Sequence, residues 1–144
     1  MPALSGISHV TLTVTDLGAS RRFWQEVIGL PVVLEAPNFF MCLYAPTMTA
    51  VACKDHEGAA IGSFDPTVPG LDHLALGVSD VAELERWAAH FDSNKVTFSP
   101  IEESEFGHHL NVQAPDGIAV ELFVLSEAGL AAVGASTITS AQQR

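Results

Sequence analysis

The chain has 144 residues, 48% of them hydrophobic, with a positive mean hydropathy. That is enough for one compact domain, and it excludes an intrinsically disordered chain. Six Lys and Arg against 17 Asp and Glu leave a net charge of −11, which repels phosphate backbones and anionic lipid, so neither nucleic acid nor a membrane is an expected partner. No apolar run approaches the ~20 residues that cross a bilayer, and two cysteines, Cys42 and Cys53, are too few for a disulfide scaffold. The opening Met1-Pro2-Ala3 lacks the charged head and apolar core of a signal peptide, so a cytoplasmic protein is expected.

In chain order, Ile7-Ser8-His9-Val10-Thr11-Leu12-Thr13-Val14-Thr15-Asp16 alternates as a strand and ends in a helix N-cap. An amphipathic helix over Leu17 to Gly29 follows, and Gly29 is its stop signal. Strands come next, including Phe40 to Ala45 and Thr49 to Cys53. Residues 55–70, rich in Gly, Asp and Pro, make a linker. The pattern then repeats. At a constant offset of 64, Leu71-Asp72-His73-Leu74-Ala75-Leu76-Gly77-Val78-Ser79-Asp80 lies over the first strand with His on His and Asp on Asp. A second helix runs over Val81 to Phe91, with Val81, Leu84, Trp87, Ala88 and Phe91 at helical spacing, Asp80 and Glu83 as a capping box, and Asp92-Ser93-Asn94 as its stop. Later segments match at an offset of 69, with Phe40 over His109 and Thr49 to Cys53 over Ile118 to Leu122.

Each half therefore reads strand, helix, three strands. The expected organisation is a single domain of α+β class with two tandem modules: module 1 at about 5–54, the linker at 55–70, module 2 at about 71–125, and a short helix or loose tail at 126–144.

Alternation assigns the faces. Val10, Leu12 and Val14 oppose His9, Thr11 and Thr13; Leu110 and Val112 oppose His109, Asn111 and Gln113; Val120, Leu122 and Val124 oppose Glu121 and Phe123. Each strand thus has one apolar face for its helix to cover and one polar, small-residue, His-bearing face suited to lining a cup. The offset of 69 also places Phe40 and Tyr44 on that second face.

His9 and His73 hold equivalent positions in the repeat, and Glu121 faces the same side from the last strand. A lone strand histidine is ordinarily just a hydrogen-bonded group, but a matched pair with a correctly facing carboxylate is a borderline ligand set for Fe(II), Mn(II), Zn(II), Ni(II) or Co(II). Three protein donors would leave positions open for water and substrate. The module 1 counterpart of Glu121 is Ala52, which cannot ligate; His56 and Glu57 lie past the strand and are no obvious substitutes. His109 shares the cup-facing parity as an acid/base or substrate donor. His108 has the opposite parity and His90 sits on the second helix. Cys42 is cup-facing in this alignment, but with no neighbouring base it reads as an inert buried thiol.

These segments resemble the vicinal oxygen chelate superfamily, also called the glyoxalase/bleomycin-resistance/dioxygenase group, over about residues 5–125. The likeness is carried by Ile7 to Leu17, by Phe23-Trp24 before Ile28-Gly29-Leu30, by Leu71 to Leu76, and by Ala114-Pro115-Asp116-Gly117 with the strand through Phe123. It implies two βαβββ modules curling into a cupped mixed or antiparallel sheet with helices on the outer face. It also implies one divalent metal per site, held by His9, His73 and Glu121; with the parity of His109, the expected catalytic residues are Glu121 and His109. Members of this length are commonly homodimers. In some, modules pair across chains, so that His9 would complete a site with His73 and Glu121 of another copy.

The departures narrow the choice. Ala52 counts against the four-ligand glyoxalase I and epimerase types, whereas fosfomycin-resistance thiol transferases and extradiol dioxygenases use a His-His-Glu set. Thr11 matches a threonine near substrate in the fosfomycin enzymes. Asn111, however, stands where a phenolic side chain is expected, and apart from Lys54 and Lys95 the cations are three helix arginines and the C-terminal Arg144, so a phosphonate lacks counter-charge. The expected cup lining of Thr11, Phe40, Tyr44, Asn111, Gln113 and Phe123 suits a neutral or weakly anionic small molecule with an apolar part and adjacent oxygens. The leading expectation is an enzyme that chelates such a molecule on its metal, acting as an isomerase, lyase, thiol transferase or ring-cleaving dioxygenase. The alternative is a metal-free protein that sequesters an antibiotic or metabolite, as in the bleomycin-resistance type, and a third, weaker reading is a metal-buffering domain.

Overall fold

The computed structural model describes residues 6–132 and 134. The Met1-Pro2-Ala3 start and most of the expected tail lie outside them. The elements run β1 (His9–Thr13), α1 (Leu17–Arg22), β2 (Val32–Ala36), β3 (Phe39–Tyr44), β4 (Thr49–Lys54), β5 (Leu74–Gly77), α2 (Val81–Ser93), β6 (Glu102–Ser104), β7 (Gly107–Gln113), β8 (Ala119–Leu125) and α3 (Glu127–Ala132). They form two four-stranded mixed sheets, ordered β1-β4-β3-β2 and β5-β8-β7-β6. This is the α+β, tandem βαβββ arrangement expected from the repeat. The chain divides into two compact units, one ending at Phe64 but including Ala114–Ile118, the other made of Asp65–Gln113 and the chain from Ala119 onward.

In the first unit α1 packs on β3 and β4, and its start is set by Asp16, whose carboxylate accepts from the Ala19 amide at 2.8 Å. The helix expected through Gly29 changes character midway. Phe23–Val27 form a π-helical turn, with the Ile28 amide donating to the Phe23 carbonyl at 2.9 Å. Consecutive Phe23 and Trp24 are both buried there, their rings edge to face at 5.3 Å. Gly29 ends the turn at φ 82°. The Asp116 carboxylate accepts the Thr15 amide at 2.7 Å and the Thr15 hydroxyl, while its own carbonyl accepts the Phe64 amide at 2.8 Å, tying three separate segments of this unit together.

In the second unit α2 lays Leu84 and Phe91 on β7 and β8. Asp80 caps it, accepting from the Glu83 amide at 2.8 Å, and this bond with that from Ser79 holds the Asp80 carboxyl below the usual carboxylate range. The expected capping box is half made, because the Glu83 carboxylate is taken by Arg86. The helix runs two residues past Phe91 to Ser93, and Lys95 turns the chain at φ 55°. Of the segment expected as a short helix or loose tail, the described part holds α3.

Register fixes the faces. Each unit pairs its first strand in parallel with its last: Thr11 with Ala52, and Ala75 with Glu121. Beside them β3 and β7 run antiparallel, Met41 pairing with Ala52 and Asn111 with Glu121. The loop between the matched pairs Leu43–Ala50 and Gln113–Ala119 is one residue longer in the first unit. The repeat in this strand therefore runs at an offset of 70, and extending the offset of 69 back through the loop slips β3 by one residue. A one-residue slip moves every side chain to the other face. Phe40 and Cys42, expected on the cup-lining face, are buried on the α1 side instead. Phe40 pairs with Cys53, whose thiol bonds Trp24, and Phe40 is only 3% exposed. Tyr44 shares their parity at the strand end, 49% exposed.

Two predictions follow from this packing. A Cβ on Gly107 would sit 1.9 Å from the Val124 carbonyl oxygen, whereas one on Gly77 would meet nothing within 4 Å. Gly107→Ala is expected to cost about 3 kcal/mol in urea unfolding and Gly77→Ala under about 0.5 kcal/mol. Burial pushes the Cys42 thiol up to about 11, with Arg21 opposing, and the Cys53 thiol up to about 12, with Cys42 adding to it. Raised values leave both as neutral thiols at pH 8, so neither should react with a thiol reagent in the native protein, and both should react in guanidinium.

Candidate functional site

The face of the second sheet opposite α2 carries the ionisable groups. His73 enters β5, and its Nε2 lies 3.8 Å from Glu121 Oε1 on β8. Its Nδ1 is 2.7 Å from Asp72 Oδ1. An ionised carboxylate only accepts, so this contact places a ring proton on Nδ1 and turns Nε2 toward Glu121. The Glu121 side chain is 15% exposed, and His73 is its one ion-pair partner among the described residues. The strand alongside is kept low by Ala75 and Gly77, which pair with Glu121 and Phe123.

One row along the strands, His109 pairs with Phe123 and Glu102. The His109 and Phe123 rings stack at 6.4 Å with a 20° interplanar angle, and His109 Nε2 is 3.7 Å from Glu102 Oε2. Asn111 is half-buried directly across from Glu121, and Gln113 is exposed at the strand end. His108 is on the opposite face, paired with Val124.

The first unit presents a different surface from the equivalent positions. His9 leads β1, and its Nδ1 is 2.9 Å from Ser8 Oγ, so here too the preceding residue engages Nδ1. Thr11 is exposed on the same face, while Ala52 at the Glu121 position is fully buried and carries no donor. Thr13 Oγ1 lies 3.2 Å from His56 Nε2, which brings that linker histidine onto this face. Register places Phe39, Met41 and Leu43 here, in place of the expected Phe40 and Tyr44.

The structure thus brings together His73 with Glu121, and His109 with Phe123. Among the described residues no three His, Cys, Asp or Glu side chains are gathered so as to hold a metal ion. Sequence reasoning missed Asp72 and Ser8, although both stand immediately before the two repeated histidines. It missed Glu102, whose relation to His109 depends on a hairpin register. Among the described residues no helix is long and apolar enough to cross a membrane.

Comparisons with known proteins agree with this architecture. The family model of the Glyoxalase/Bleomycin resistance protein/Dioxygenase superfamily matches residues 6–122. A glyoxylase/bleomycin resistance protein/dioxygenase domain from Frankia sp. EAN1pec is 29% identical, with a TM-score of 0.75 over 86% of this chain and 100% of that one. Lactoylglutathione lyase from Agrobacterium tumefaciens is 20% identical, with a TM-score of 0.69 over 85% of this chain and 96% of that one. TnmS3, an antibiotic binding protein from Streptomyces sp. CB03234, is 19% identical, with a TM-score of 0.68 over 88% of this chain and 100% of that one. No curated protein sequence matches the chain. The match of the family model across most of its length, on two βαβββ modules, makes this chain a member of the glyoxalase/bleomycin resistance protein/dioxygenase superfamily.

Proposed function

We propose that the protein is a metal-dependent enzyme acting on an oxygen-bearing small molecule, with His73 and Glu121 as metal donors and His9, of the same chain or of a second copy in a homodimer, as the third. The observation that carries this reading is the mostly buried Glu121 carboxylate beside an imidazole whose Nε2 is already turned toward it. A mostly buried carboxylate whose one ion-pair partner among the described residues is an imidazole is an arrangement that a cation would complete. The donor chemistry fits. A separation of 3.8 Å is shorter than two metal–ligand bonds end to end, about 4.2 Å. Two imidazoles and one carboxylate suit Fe, Mn, Zn, Ni or Co.

The bound metal would act as a Lewis acid, stabilising negative charge that develops on a chelated substrate oxygen. The chain's own groups supply the rest. Ala75 and Gly77 leave room above β5 for a substrate to approach Glu121. Phe123 offers an aromatic edge to a planar group, while Asn111, Gln113 and Thr11 offer uncharged hydrogen-bonding groups that orient its oxygens. His109, held against Phe123 and near Glu102, carries a proton to or from the substrate as a general acid/base. No Lys or Arg is among these residues, which favours a neutral substrate over a phosphonate.

Calorimetric titration with zinc tests the reading. About one ion per chain is expected for the wild type, no binding for Glu121→Ala, and affinity about 10- to 100-fold weaker for Asp72→Ala, which frees the His73 ring to reorient. An unmodified affinity in Glu121→Ala would overturn the metal reading and leave sequestration of a ligand without metal.

A further inference from the structure

Lys54 ends β4 half-buried, and no carboxylate pairs with it among the described residues, although the chain has 17 Asp and Glu against six Lys and Arg. Arg21 and Arg86, by contrast, are both taken up, by Glu35 and Glu83. An ammonium group partly withdrawn from water and left unpaired is a favourable place for an anion.

Register shows where that group stands. Lys54 pairs with Thr13 on one side and Phe39 on the other, so the three form the last row of the first sheet on the face opposite α1. Neighbouring strands lie about 4.8 Å apart. The four-carbon lysine stem covers that span, with the half-buried Phe39 beside it, and brings Nζ within reach of the Thr13 hydroxyl.

The linker closes over the same row. His56 Nε2 lies 3.2 Å from Thr13 Oγ1. His56 and Glu57 are consecutive side-chain-bearing residues in the left-handed region, at φ 55° and 62°, with Gly58 following at φ 78°. L-residues rarely adopt such a turn, and here it returns the imidazole to the end of β1. The Gly58 and Ala60 amides each donate to the Asp55 carbonyl at 3.2 Å, and the Asp55 carboxylate accepts the Glu57 amide at 3.0 Å. Asp55 is thus occupied with the backbone and Glu57 is exposed, and neither forms an ion pair with Lys54. With a proton on Nε2 the imidazole donates to Thr13 Oγ1, and the Thr13 O–H is left to donate outward.

We infer that Lys54, Thr13 and His56 form a binding site for the carboxylate of a small organic acid. One ammonium charge and one hydroxyl donor match the single charge and paired oxygens of a carboxylate. A dianion would keep an unmatched charge close to Asp55 and Glu57. His9 is four residues back along β1, about 13 Å, so this site lies apart from that histidine and does not rest on the metal reading. All of its groups belong to the first unit.

The test titrates sodium acetate into the metal-free full chain at constant ionic strength, balanced with chloride, and follows histidine ring and threonine methyl signals by NMR. Saturable movement of the His56 and Thr13 signals is expected, with a midpoint in the millimolar range. Lys54→Gln should weaken binding at least about tenfold and Thr13→Val about fivefold. Lys54→Arg keeps the charge and should still saturate, while Lys95→Asn, at a lysine of the other unit, should change nothing. Movement that never saturates, or that is unaltered in Lys54→Gln, would overturn the inference. So would tighter binding of inorganic phosphate than of acetate. If Lys54→Gln loses native signal dispersion, Thr13→Val decides, and acetate affinity unchanged there would overturn the site equally.

Discussion

The parallel pairing of a first strand with a last strand, β1 with β4 and β5 with β8, determines what every other residue of the site face can do. It sets Ala75 against Glu121 and Thr11 against Ala52, and with a two-residue strand period it brings the entering histidine onto the same face as the middle of the last strand. The apolar alternate residues are thereby committed to α1 or α2. A one-residue slip of β8 would turn Glu121 toward the core and expose Val120 and Leu122. The site geometry is therefore held by the hydrophobic core, with no need for a bond between the functional groups themselves.

The same frame is used in two ways. In the second unit the row through Glu121 is polar, with Asn111 across from it and an imidazole oriented by Asp72. In the first unit the corresponding row holds Ala52 and Met41, and the row through His9 holds Ala50 and Leu43. Both units carry the entering histidine; the second adds a carboxylate and an amide in the next row, where the first has Ala52 and Met41.

Much of this was legible in the sequence because alternation and repetition are local signals. The offset of 64 located His9 and His73, the Asp16 and Asp80 caps, and both helix starts, since each depends on neighbours within a few residues. The β3 register was not legible. It turns on one extra residue in the loop after Tyr44, and no local pattern distinguishes Phe40-Met41-Cys42 in one phase from the other when all three are apolar. The π-helical turn at Phe23–Val27 was hidden for a similar reason, because a widened turn has no composition of its own. Asp72 and Ser8 were visible as letters, but their part in orienting Nδ1 appears only once the histidine ring is placed. The Glu102–His109 approach required a hairpin register that three exposed residues of β6 do not specify.

The central claim is the identity of the metal donors, and X-ray absorption at the zinc edge on the full chain loaded with one equivalent addresses it most directly. The account predicts a shell of nitrogen and oxygen only, with multiple scattering from two imidazoles, falling to one imidazole in His9→Ala and in His73→Ala. A sulfur shell would contradict it, because Cys42 and Cys53 are buried thiols on the other side of their sheet. A spectrum unchanged by either histidine substitution would contradict it equally.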